Sequence, residues 1–255
     1  MITFVTFKWK PREGYRSKFD SSHVNTLASM IDRHYHKPHR FVCVTDDTDG
    51  LEWGIETIPL WSDHAGFRNP TWPDGPNCFP RLKALSRSFG EEIGTRYVCL
   101  DLDLVIVADI THMFDIPQSF AMMKSHIPAI PLCGSIVMSD PGARSEVWER
   151  FNANPAKAIG EMQRAGRRGS DQAWITHCLG GDIAGWGGAE GVYSYMQLVP
   201  KASTSRRRGY VAPNFPNTNI GKLPPDAKII VFTGKPDPWD PEARKLSPWI
   251  NEHYR

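Results

Sequence analysis

The chain alternates short apolar runs with segments whose apolar residues recur at helical spacing. Residues 2–7 form a run suited to a buried strand, and it ends in Lys8-Trp9-Lys10-Pro11. A loop containing Gly14 leads to Ser21-Ser22, candidate helix N-caps, after which Val24, Leu27, Ala28 and Ile31 fall at i, i+3, i+4, i+7. Pro38 stops that helix. Residues 40–45 then make a second strand ending in Asp46-Asp47, and residues 55–58 a weaker third strand stopped by Pro59. Strand, helix, strand at this spacing predicts a right-handed βαβ unit and a parallel sheet.

The stretch at 97–110, YVCLDLDLVIVADI, organises the rest. Its first four residues suit a strand buried on both faces. Asp101-Leu102-Asp103 breaks the run, and residues 104–107 are apolar again. Two carboxylates inside a buried segment are costly unless something cationic compensates them. In extended backbone, residues i and i+2 project to the same side. Asp101 and Asp103 are therefore expected to face one way at the C-terminal edge of a central strand, where open α/β sheets bind ligands. Hard oxygen ligands there suit Mg²⁺ or Mn²⁺. The plainer alternative is a strand end whose aspartates cap a turn.

Residues 61–80 carry four prolines, two glycines and two tryptophans, so a long irregular loop is expected. A short helix over 81–89 turns Leu82, Leu85 and Phe89 inward and feeds the Asp101 strand. Further strands are expected at 120–124, 135–138 and 228–232. Helices are expected at 143–151, burying Val147, Trp148 and Phe151, and from Pro155, with Ala158, Ile159 and Met162 on one face. Gly169-Ser170-Asp171-Gln172 reads as a loop entering a helix, and Asp171 alone would serve as an N-cap. Residues 180–191 are glycine-rich without phosphate-loop spacing. Residues 201–225 are basic and proline-rich. No repeat or linker divides the 255 residues, which reads as one α/β domain. Residues 1–110 would form one half, with the D-x-D, and residues 111–255 the other, with the C-terminal motif.

Composition narrows the classes. A formal charge of +2 is too small to argue for nucleic acid or a membrane surface. No stretch approaches the ~18–20 apolar residues of a membrane span, and the first ten residues lack a signal peptide's pattern. Cys43, Cys78, Cys99, Cys133 and Cys178 are odd in number and scattered, which suits a reduced, cytoplasmic protein. His34 and His36 lie i, i+2 at a helix end and share no helical face. His177 and Cys178, being adjacent on a helix, cannot face each other as a nucleophile pair. Arg164, Arg167 and Arg168, and Arg206-Arg207-Arg208 with Tyr210, are basic clusters. They read as solvated surface, or otherwise as steering for an anionic acceptor.

Three pieces in order carry a family likeness: apolar-D-x-D-apolar at 101–103, G-x-D-Q at 169–172, and Val231-Phe232-Thr233-Gly234-Lys235-Pro236-Asp237-Pro238-Trp239. Together they resemble a GT-A fold glycosyltransferase, nearest to family 8, the glycogenin and lipopolysaccharide galactosyltransferase group. The resemblance implies a Rossmann-like, mixed but mainly parallel sheet flanked by helices. It implies sugar transfer from a nucleotide sugar, UDP-linked and with retention, to an acceptor that is not fixed as glycan, protein or nucleic acid. It also implies that Asp101 and Asp103 bind Mn²⁺ or Mg²⁺, Asp103 the stronger ligand and Asp101 shared with the donor. Phe79-Pro80-Arg81-Leu82 stands where the family has Phe/Tyr-x-Lys-Leu, so Arg81 replaces a lysine directed at phosphate or sugar. Asp171 and Gln172 would lie at the transferred sugar. Thr6, Phe7 and Trp9 would hold the nucleoside, and Gly234 and Lys235 the diphosphate.

The chain departs from that pattern at Val231, where the family has its metal-binding histidine, and at Asp237, where it has lysine. Cys133-Gly134-Ser135 replaces Asn-Ser/Ala-Gly. Thr233 or a water is left to complete the metal shell. A nucleotidyltransferase on a related sheet would need a glycine-rich basic loop after the first strand, and residues 7–11 lack one. A non-catalytic GT-A-like binding protein is the other alternative: Val231 and Asp237 favour it, and the intact acidic motifs oppose it.

Overall fold

The computed structural model describes residues 1–10, 19–64, 67, 69, 77–167, 169–199 and 220–255. Gly14, Arg168, Arg206–Arg208, Tyr210 and much of the two expected irregular segments lie outside the described residues. A seven-stranded sheet runs in the order β3 (Glu56–Pro59), β2 (His39–Thr45), β1 (Ile2–Lys8), β4 (Tyr97–Leu100), β7 (Leu132–Ser139), β6 (Phe120–Lys124), β8 (Gly185–Trp186). Pairings are parallel from β3 through β4, antiparallel on both sides of β7, and parallel again between β6 and β8. This is the mixed, mainly parallel sheet expected from the sequence.

The first helix, α1 (Ser21–His34), buries Val24, Leu27, Met30 and Ile31 against the sheet, with Ala28 packed at the margin. Each such aliphatic side chain contributes about 1.5–3 kcal/mol when removed from water. Its N-cap is Asp20, whose carboxylate accepts the Ser22 amide at 2.9 Å, so the expected caps Ser21 and Ser22 are instead the first two residues of the helix. The expected helix at 81–89 divides in two: a 3-10 turn at Phe79–Leu85, then α2 (Arg87–Ile93), started by the Ser86 hydroxyl accepting from the Phe89 amide.

Helices α3 (Ser145–Ala153), α4 (Pro155–Arg164) and α5 (Asp171–Leu179) cover the opposite face of the sheet with α2. A second, three-stranded sheet joins β5 (Leu104–Ile106), β10 (Ile229–Val231) and β9 (Val192–Ser194), beside the α1 face. Two short C-terminal helices, α6 (Pro241–Leu246) and α7 (Trp249–His253), follow. All of β4, β5 and β10 is buried.

Candidate functional site

The D-x-D tripeptide lies where the chain leaves one sheet for the other. The Asp101 amide donates to Ser135 O at 3.0 Å, extending the β4–β7 ladder one residue past the strand. The backbone then bends through Leu102 and Asp103 before β5 begins. The two carboxylates consequently meet different partners, although they sit two residues apart.

Asp101 faces Arg81. The 3-10 turn buries Phe79, Pro80, Leu82, Ala84 and Leu85, and the Tyr97 hydroxyl pins it to β4 by donating to Ala84 O at 2.6 Å. Arg81 is left to cross the strand ends. Its Nη1 pairs with Asp101 Oδ1, while Nη2 donates to Gly134 O at 2.7 Å and lies 3.0 Å from Asp171 Oδ2. Burial disfavours the guanidinium charge, but Asp101 and Asp171 outweigh it and raise the Arg81 pKa above its ordinary value.

Asp171 is free to do this because Ser170, not Asp171, is the N-cap of α5: the Ser170 hydroxyl accepts the Ala173 amide at 3.2 Å. The Asp171 carboxylate, in a residue only 6 % exposed, is turned to Arg81, and its amide donates to Cys78 Sγ at 3.4 Å. Gln172 Oε1 accepts the Gly134 amide at 3.1 Å. Both main-chain groups of Gly134 are thus engaged by site residues. A Cβ there would stand 2.9 Å from Arg81 Nη2, so any larger residue would press on the guanidinium.

Asp103 faces the other way in chemical terms. Its carbonyl accepts the Phe232 amide at 2.9 Å, stitching it to the end of β10, but its buried Oδ1 has no hydrogen-bond partner. Burial, reinforced by Asp101 and Asp237, pushes its pKa well above the ordinary carboxylate range. Asp237 is 2 % exposed, and its Oδ2 likewise makes no hydrogen bond. Lys235 Nζ lies 2.6 Å from that oxygen, an ion-pair contact without hydrogen-bond alignment, and 2.9 Å from Asp240 Oδ2.

The remaining residues singled out from the sequence are dispersed around this core. Thr6 is fully buried, and its hydroxyl donates to Leu100 O at 2.9 Å, which ties β1 to β4. Phe7 packs edge-on with Trp9, tilts against Trp61, and has the Arg81 guanidinium 6.0 Å from its ring centre. Gly234 has φ 115°, a conformation that favours glycine. Lys235 reaches its neighbours Asp237 and Asp240 and not the Arg81 cluster.

Among the described residues, no three histidine, cysteine, aspartate or glutamate side chains converge in metal-binding geometry. The donor chemistry nonetheless fits a hard divalent cation: two buried carboxylate oxygens, on Asp103 and Asp237, lack hydrogen-bond partners. Sequence reasoning marked Asp237 only as a departure from the family. Cys78 and Tyr254 carried no signal, because their approach to the site depends on distant packing.

No protein-family profile and no curated protein sequence matches the chain. Solved structures do match. The galactosyltransferase LgtC, solved with donor and acceptor sugar analogues, superposes with a TM-score of 0.60 at 13 % identity, over 98 % of this chain and 96 % of LgtC. The glycosyltransferase GlyE of Streptococcus pneumoniae TIGR4 gives 0.55 at 13 % identity, over 94 % of this chain and 57 % of GlyE. The bifunctional glycosyltransferase WbbM gives 0.54 at 14 % identity, over 98 % of this chain and 50 % of WbbM. The chain therefore spans about half the length of the latter two. The fold is the GT-A fold of these glycosyltransferases.

Proposed function

We propose that the protein transfers a sugar from a nucleotide sugar, UDP-linked, to an acceptor hydroxyl with retention of anomeric configuration. The observation that carries this reading is the Asp101–Arg81–Asp171 cluster at the C-terminal ends of the strands, closed by Gln172 through Gly134. Open α/β sheets bind ligands at that edge. LgtC, whose fold the chain shares, was solved with donor and acceptor sugar analogues, and an active-site glutamine-to-glutamate mutant of it has also been solved.

In this reading the bond from the anomeric carbon to the diphosphate breaks, a bond to the acceptor oxygen forms, and the departing phosphate takes the acceptor proton. Asp103 would hold a divalent cation, Mn²⁺ or Mg²⁺, with Asp101 shared between cation and donor. Such a cation would neutralise charge on the leaving diphosphate. Arg81 supplies a fixed guanidinium near the same charge, pre-oriented by two carboxylates and so needing little reorganisation. Asp171 and Gln172 position the sugar and stabilise its oxocarbenium-like character. Phe7 and Trp9 offer aromatic surface to the base, Thr6 fixes the strand that presents them, and Gly234 and Lys235 lie on the diphosphate side. Within one domain, residues 1–110 would form the nucleotide-binding half, and residues 111–255 the acceptor-side half together with the C-terminal motif that reaches the diphosphate. The five cysteines are free, and a cytoplasmic, reducing compartment suits them. No helix among the described residues is long and apolar enough to cross a membrane.

A non-catalytic binding role is the second reading, favoured by Val231 and Asp237 in place of the family's histidine and lysine. Calorimetry of UDP and other nucleoside diphosphates, with and without Mn²⁺, on wild type and Asp103→Ala separates the two. Mn²⁺-dependent UDP binding lost in the variant, followed by hydrolysis of a UDP-sugar, supports transfer. Absence of metal-dependent binding to any nucleotide refutes it.

A further inference from the structure

Asp103, Asp237 and Tyr254 each bury a polar atom that makes no hydrogen bond. The three belong together. Asp103 is joined to the end of β10 by the Phe232 amide, and Val231 pairs with Leu104 in the β5–β10 ladder. The chain thus leaves β10 beside Asp103 and turns at Gly234. It is fastened again by Trp239, whose ring stands edge-on to His23 at 4.4 Å and to Phe19 at 5.7 Å, and packs against Tyr254. Asp237 sits within this turn, its amide held by Asp240 Oδ2 at 2.8 Å. Tyr254 is 7 % exposed, and the charges of both Asp103 and Asp237 bear on its hydroxyl.

Two carboxylates this deeply buried are not stabilised by solvent, and one lysine that is itself half-exposed compensates them incompletely. We propose that Asp237 is a ligand of the divalent cation, paired with Asp103 and supplied by the C-terminal turn in place of the missing histidine. This rests on the donor-site reading above. Carboxylate for imidazole makes the site harder and more anionic, suited to Mg²⁺ or Mn²⁺ rather than to softer ions. The Tyr254 hydroxyl is a free donor for a water in the cation's shell, since such ions keep several waters. Lys235, which pairs with Asp237 and Asp240, would be free to reach a diphosphate oxygen once Asp237 held a cation.

The test is Mn²⁺ binding followed by loss of the free-ion paramagnetic resonance signal, with UDP present, on wild type, Asp103→Asn, Asp237→Asn and Asp237→Glu. The unfolding temperature of each is measured without metal. Asp237→Asn is expected to weaken Mn²⁺ by about tenfold or more, as removal of a charged ligand does. Asp103→Asn does the same, and Asp237→Glu retains most of the affinity. If Asp237→Asn is too unstable to assay, Asp237→Ser decides on the same terms: loss of affinity supports the ligand, and wild-type affinity overturns it. Wild-type affinity in Asp237→Asn alongside loss in Asp103→Asn overturns the role of Asp237 and leaves the donor-site reading standing. No Mn²⁺ binding by the wild type overturns both.

Discussion

The two aspartates of one D-x-D tripeptide stand in opposite electrostatic circumstances. Asp101 is satisfied from within the protein, by an arginine that also binds Asp171 and Gly134 O. Asp103 is buried with an unpartnered oxygen and with a second carboxylate, Asp237, near enough to raise its pKa. The difference shows how one short motif divides two tasks. The Arg81 side is an internally paired scaffold, one guanidinium held between two carboxylates and a main-chain carbonyl. The Asp103 side is under-compensated, and a cation brought from solution would relieve it.

The largest effect should come from removing the scaffold's cation. Arg81→Met leaves Asp101 and Asp171 without their partner, and breaking such a partly buried pair costs about 3–5 kcal/mol. Chemical unfolding should register this. A loss near zero would mean that Arg81 does not hold the cluster. Gly134→Ala is the subtler version, forcing Arg81 Nη2 away from a Cβ at 2.9 Å. A loss of about 1–3 kcal/mol is expected, as for overpacking generally, with weakened UDP-sugar hydrolysis. Unchanged stability and activity would show that the guanidinium can move aside freely.

The Asp103 side should respond in the opposite direction. Its folded-state pKa is raised above the ordinary 3.8. Between that value and the folded-state pKa, the folded protein holds a proton that the unfolded chain has lost, so this residue's contribution falls as pH rises. Without divalent cations, Asp103→Asn should therefore unfold at a higher temperature than wild type at neutral pH. The gap should close as pH drops toward 4. A gap that widens on acidification would contradict the account. Lys235→Ala removes the counter-ion of Asp237, whose side chain is only 3 % exposed although the lysine itself is 49 % exposed, so stability should fall by about 1–3 kcal/mol. The variant should also weaken UDP binding.

The sequence carried the scaffold better than the open side, and the reason is locality. Buried strands and the α1 face show in apolar spacing, and Asp101, Arg81, Asp171 and Gln172 stand in short motifs. Asp171 looked like a cap because cap propensity cannot say which of two adjacent residues takes the role; Ser170 takes it, and the carboxylate is released to Arg81. The strand at 228–232 is legible and appears as β10, but its pairing with β5 and β9 into a second sheet is not, because those strands are three residues each and pair across long separations. Residues two apart were expected to face one way, but the bend at Leu102-Asp103 gives them different partners. Tyr254 comes within electrostatic range of Asp103 only through the packing of the C-terminal segment, where its ring lies against Trp239.

The most direct test is Mn²⁺ affinity in the presence of UDP, compared between Asp101→Asn and Asp103→Asn. A loss of about tenfold or more is expected in Asp103→Asn, in line with removing a charged ligand, and a clearly smaller loss in Asp101→Asn, whose carboxylate is already paired with Arg81. Equal losses, or a larger one at Asp101, would contradict the division of labour between the two aspartates.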